Sequence, residues 1–237
     1  MLRVLFGEIP RQDEGELKQA MSAMNGYLDE LRSRIAQDGD PKHIRRKAEI
    51  MTVGLKTSLD ELEQSVYASG KYADGVHKQY EVEMNEAESD DYYRHVYYYK
   101  NGFIRVFAVL DKLGTLLNDI LMLETEKVKH HFSYFTVLRQ MRTLGQQEAL
   151  YQQLSVLKEQ YSTQLQHLRK RRNTEVHHLN AEMQDDLWQR HRSLTDKIKL
   201  EDIRANVQDL RDALTMVCAS IVLVFEHLLH VSRPFHK

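Results

Sequence analysis

One cysteine, three prolines and a formal net charge of only -2 in 237 residues exclude several classes of protein at the outset. A lone Cys218 forms no intrachain disulfide, and its apolar surroundings read as core, so a reducing compartment is expected. The prolines are Pro10, Pro41 and Pro234, which leaves residues 42–233 free of the residue most hostile to helix interiors. The near-neutral balance excludes a broad basic field of the kind that sequence-blind nucleic-acid binders present, so a polyanion would be met locally. The longest uncharged stretch, Ala213 to Phe225, is 13 residues, short of the ~18 to 20 needed to cross a bilayer. Met1 to Pro10 lacks the apolar run of a secretory signal. No membrane contact and a cytoplasmic location are therefore expected. There is no phosphate-cradling glycine loop, dinucleotide fingerprint or serine elbow, which removes kinase-like, dehydrogenase and hydrolase readings.

Apolar residues at alternating steps of three and four are abundant. Leu200, Ile203, Val207, Leu210, Leu214, Val217, Ile221, Val224, Leu228 and Val231 make one seam of about eight helical turns. The same spacing in Leu17 to Ile35 and in Ile44 to Val66 predicts two earlier helices. Asp13 with Glu16 resembles a capping pair, and Asp40 before Pro41 resembles a cap with proline at the first helical position. Gly70 and Gly75 bracket an expected break, with Lys71 to Glu88 a long loop and Ser89, Asp90 and Asp91 the next helix start. Phe103 to Ile120 carries that helix towards Glu126. Leu150 to Leu168 reads as one long helix after a weaker segment at Phe132 to Met141 and a break at Gly145, and Val176, Leu179, Met183 and Leu187 mark a further one. No strand-like alternation or internal repeat competes. The expected fold is all-α, an up-and-down bundle of five to seven long amphipathic helices, with 1–70 an N-terminal helical extension and 89–231 the bundle proper.

The sharpest local feature is Arg172-Asn173-Thr174-Glu175-Val176-His177, preceded by Arg169, Lys170 and Arg171. It joins an anion-binding guanidinium to an imidazole that titrates near neutrality. Asn173 and His177, four apart, share a helix face, whereas Arg172 lies about 140° round from His177. The two would meet one small ligand by bending round or across an interface, and a symmetric dimer supplies such an interface.

Arginine, a polar residue, three further positions and histidine, set in an all-helical chain, resembles the HEPN superfamily (higher eukaryotes and prokaryotes nucleotide-binding). The motif covers six residues strictly and the bundle from Ser89 to Val231 loosely. The resemblance implies a metal-independent endoribonuclease of a defence or stress system, acting as a homodimer without cofactor and held in check by a neutralising protein partner. Arg172, Asn173 and His177 are its implied catalytic residues, and Arg169, Lys170 and Arg171 would guide RNA or a nucleotide. Many bacterial toxins of this family carry a tyrosine two residues after the histidine, whereas Leu179 stands there in this chain.

A reading from another class stays open beside this one. Inactive family members serve as nucleotide-binding or structural bundles, and the seam from Leu200 to Val231 with the tyrosines 92, 93, 97, 98 and 99 would suit a non-catalytic interaction module. Those tyrosines are expected mainly in a core or dimer contact rather than stacked on bases. Asp111 is expected to pair with a lysine at the surface. Glu175 and His178 have the spacing of a di-iron carboxylate pair, but no second pair accompanies them, and the twelve histidines show no metal-ligand spacing. No metal site is expected.

Overall fold

A computed structural model describes residues 2–177 and 199–232, and within them the chain is all-α. In chain order the helices are α1 (Leu2–Leu5), α2 (Gly15–Asp38), α3 (Ile44–Asp74), α4 (Glu86–Ile120), α5 (Thr125–Val128), α6 (Tyr134–Leu144), α7 (Glu148–Gln160), α8 (Ser162–His177) and α9 (Ile203–Ser232). The helix expected over Val176 to Leu187 lies outside the described residues, apart from Val176, which is exposed at the end of α8. Two compact units form from discontinuous stretches: residues 1–10, 61–107 and 162–214 make one, and 11–60, 108–161 and 215–237 the other. Long helices α3, α4 and α9 each contribute one part to each unit.

In the first unit, Ala73, Val76, Tyr92, Ile203 and Val207 form a buried cluster, with Met84, Val96 and Leu200 packed on it. Leu62, Val66, Phe103, Phe107, Leu165, Leu168 and Leu210 are also buried. In the second, Met24, Tyr27, Leu28, Leu55, Leu59, Leu113, Leu117, Val137, Leu154, Ile221, Val224 and Phe225 are buried. The predicted seams of α2, α3, α4 and α9 thus face inward. By length and composition Ile203–Val231, with mean hydropathy 1.9, is long and apolar enough to cross a membrane. Its seam residues Val207, Leu210, Val217, Ile221, Val224 and Leu228 are core residues of the two units instead.

Several boundaries differ from the sequence reading. Helix α3 runs straight through Gly70 to Asp74, because that glycine packs on α9: a Cβ there would sit 3.0 Å from the Arg211 guanidinium. The following connection is shorter than expected. Its backbone is tied down by Glu88, whose buried carboxylate accepts the amides of His77 and Lys78, both at 2.6 Å, and α4 accordingly starts at Glu86. Asp40 does cap α3, accepting the Arg46 amide at 2.8 Å, but the helix begins at Ile44, with Pro41 in the turn ahead of it. The other marked start fails: the N-cap of α2 is Glu14, and Asp13 pairs with Arg11 at 2.7 Å. Helix α4 stops at Ile120, where Asn118 accepts the Thr125 amide at 2.9 Å and folds the chain into α5. The single helix expected over Leu150 to Leu168 is two, parted at Tyr161 with no glycine or proline to mark the break. Gly145 ends α6 in the left-handed region, φ 60°.

Candidate functional site

Helix α8 is anchored by Leu165 and Leu168, both buried. With one side fixed against the interior, each following residue points about 100° further round. Arg171 turns inward. Its guanidinium binds Glu201 at 2.6 Å, donates from Nε to His167 Nε2 at 3.3 Å, and lies 5.5 Å from the ring centre of Tyr99. His167 bonds through Nδ1 to the Asp209 carboxylate, and Asn206 donates to Glu201 at 3.0 Å. Behind this brace lies a cavity of about 20 Å³, enough for one water, lined by His95, Tyr99, Lys100, Arg171, Glu201 and Asn206 among others.

Arg172 sits differently. Its guanidinium carbon is 5.0 Å from the centre of the Phe107 ring, and its Nε is sealed from solvent with no hydrogen-bond acceptor. No carboxylate pairs with Arg172 among the described residues. Arg171 beside it has its charge met by Glu201, and Lys100 is met by Glu175 at 3.2 Å. Among the described residues the motif therefore presents one guanidinium supported on an aromatic face without a countercharge.

Asn173 and His177 are both exposed and, four apart on α8, share one face. Arg169 and Lys170 are exposed too, Arg169 lying 5.9 Å from the Phe107 ring centre. Within one chain, Arg172 leans toward α4 while His177 points outward. Asn173 accompanies His177 rather than Arg172. His178 and Leu179 lie outside the described residues.

Other candidates resolve. Asp111 reaches the start of α6, where its Oδ1 accepts the Tyr134 amide at 2.9 Å. Glu175, considered with His178 as a metal pair, binds Lys100 instead. Among the described residues no group of three metal-ligating side chains gathers. The tyrosines divide: Tyr92 and Tyr99 are buried, and Tyr98 stacks on Tyr72 with ring centres 5.8 Å apart, but Tyr93 and Tyr97 are exposed.

Sequence reasoning missed Phe107, Lys100, Glu201 and His95. Phe107 lies four residues after Phe103 of the recognised seam and so on the same face, which made its inward direction readable. That it would meet an arginine 65 positions later was not. His95 is 1% exposed, with Nδ1 2.9 Å from the Ser69 carbonyl and its ring stacked 5.8 Å from Tyr99. Burial pushes its pKa down and that of the Tyr99 phenol up.

No curated protein and no solved structure gives a significant match to the chain. The model of the Cthe2314-like HEPN family matches residues 51–229, well over half of the sequence, and the match takes in the whole of α4 and α8. The chain, all-helical over its described residues and aligned with the family over this length, belongs to the Cthe2314-like HEPN family.

Proposed function

We propose that this chain is a metal-independent endoribonuclease of a cytoplasmic defence or stress system, working as a homodimer that brings two copies of the motif around one RNA strand. The observation that carries the reading is the contrast between neighbours on α8. Arg171 is neutralised by Glu201, whereas among the described residues no carboxylate meets the Arg172 guanidinium, a turn and a half from an exposed imidazole. A guanidinium without a carboxylate partner is a ready ligand for a phosphate.

The chemistry follows from those groups. Neutral His177 takes the proton of a ribose 2′-hydroxyl, and the freed oxygen attacks the adjacent phosphorus. The new bond to the 2′-oxygen forms as the bond to the 5′-oxygen breaks, and the His177 of the second copy returns a proton to the departing oxygen. Arg172 offsets the charge that grows on the phosphoryl oxygens, and Asn173 orients the imidazole or the phosphate. Arg169 and Lys170 hold neighbouring phosphates. A neutralising protein would act by covering this face.

The contact of Arg172 with Phe107 favours a second reading, in which the arginine is a packing residue and the chain is a non-catalytic RNA-binding or interaction module. RNA cleavage with chelator present separates the two, using wild type, His177→Ala and Arg172→Ala matched for helicity. The nuclease reading expects each variant to be slower by about 10²-fold or more. Equal cleavage by all three removes these residues from catalysis, and no cleavage by wild type leaves the second reading standing.

A further inference from the structure

The fold sorts the tyrosine cluster of α4 in a way the sequence did not show. Tyr92 and Tyr99 are 8% and 4% exposed and belong to the interior, whereas Tyr93 and Tyr97 are 59% and 62% exposed. The two exposed rings are four residues apart and so rise from one face of the helix, about 5–6 Å apart at Cβ. One turn further along that face is Lys100, whose ammonium binds Glu175, the residue two positions after Asn173 and two before His177. The stripe thus runs along α4 and ends against the motif.

Both rings are exposed, yet both are held. Tyr97 meets Tyr98 edge to face, with centres 5.1 Å apart and planes at 83°, and Tyr98 is itself stacked on Tyr72. Tyr93 lies 5.7 Å from Tyr92 and donates its hydroxyl to Glu81 at 3.1 Å. Rings fixed before a ligand arrives lose little freedom on binding it. Three of the acids nearby are engaged: Arg94 binds Asp90 at 3.1 Å and Asp91 at 3.5 Å, and Glu81, ahead of α4, takes the Tyr93 hydroxyl. The exposed Arg169 and Lys170 supply cations in the same unit.

We propose that Tyr93 and Tyr97 form a stacking platform for successive bases of single-stranded RNA, leading the strand to the Arg172–His177 motif. Flat aromatic faces one turn apart suit bases, each of which offers a π-face whatever its identity, so the platform selects single strands over duplexes without reading sequence. This inference rests on the reading of the chain as one that acts on RNA.

The test is the affinity of the full chain for a fluorescent single-stranded RNA oligonucleotide, by anisotropy, in the His177→Ala background so that the probe stays intact. Tyr93→Ala and Tyr97→Ala should each weaken binding about tenfold, the lower half of the range for one lost base stack. Tyr93→Phe and Tyr97→Phe, which keep the ring, should stay within about twofold of the parent. Alanine variants that bind like the parent overturn the platform, and so do phenylalanine variants as weak as the alanine ones. A parent that binds no RNA overturns it as well. If Tyr97→Ala instead breaks the protein into monomers while RNA affinity per chain is unchanged, the stripe is a contact between copies and the proposal fails. Cleavage with His177 restored distinguishes the two readings. RNA gripped through the tyrosines but left intact by wild type supports the platform and sinks the nuclease, while His177-dependent cleavage unaffected by either tyrosine does the reverse.

Discussion

Alanine at position 114 is the same chemical change as alanine at position 54, yet the structure assigns the two opposite signs. Both glycines lie inside long helices, α4 and α3, where alanine is worth about 1 kcal/mol over glycine. At Gly54 nothing lies within 4 Å of where the new Cβ would sit, so that gain is unopposed. At Gly114 the Cβ would come 2.8 Å from the Cα of Tyr134 and 3.3 Å from its nitrogen. The obstacle is the backbone of α6, not a side chain able to swing away. Its first amide is held by Asp111 one turn earlier on α4, and the Tyr134 ring is wholly buried. Overpacking of this sort costs about 1–3 kcal/mol, and a shift of α6 that breaks the Asp111 bond adds about 1.5–3 kcal/mol. Less the helix gain, Gly114→Ala should destabilise by roughly 1.5–5 kcal/mol, lowering Tm by about 3–20 °C at this size. Gly54→Ala should raise it by about 2–4 °C. Thermal unfolding followed by circular dichroism gives both numbers. Gly114→Ala melting at or above wild type would refute the close approach of α6 to α4.

Two further outcomes concern pH. Glu88 accepts two backbone amides that hold its carboxyl below the usual range, so its contribution is present above about pH 4.5 and is lost as pH falls through the lower folded value. Glu88→Gln should therefore flatten the acid limb of a Tm-against-pH curve, and an unchanged limb would dismiss the carboxylate as its cause. Burial pushes the pKa of His95 below its ordinary value, so the unfolded chain binds the proton first and stability falls as pH drops below about 6.5. His95→Gln should remove that part of the loss between pH 6.5 and the folded value, measured by urea unfolding at several pH values.

How much was legible in the sequence can be argued element by element. The seam Leu200 to Val231 foretold α9 because burial of one helix face imposes a period that any window of the chain displays. The break after Gly145 was legible for a similar reason: a left-handed residue suits glycine, and that demand is local. Gly70 misled because the same residue also serves close packing, and only the neighbour on α9 shows which role it has. The parting of α7 from α8 at Tyr161 had no local sign at all, the apolar spacing running on through it.

For the site, sequence by itself determined the membership of the motif: a guanidinium, an amide and an imidazole at fixed steps on one helix, in a chain whose apolar spacing is helical. Tertiary structure alone decided which arginine meets a carboxylate and which an aromatic ring. Arg171 and Arg172 are indistinguishable as neighbours in the chain, but a 100° turn sets one against Glu201 and the other against Phe107. The same holds for five tyrosines of one type on one helix, three turned into the protein and two left to water. Helical periodicity is a local property that sequence records, whereas the partner across the interior is supplied by residues tens of positions away and exists only once the chain has folded.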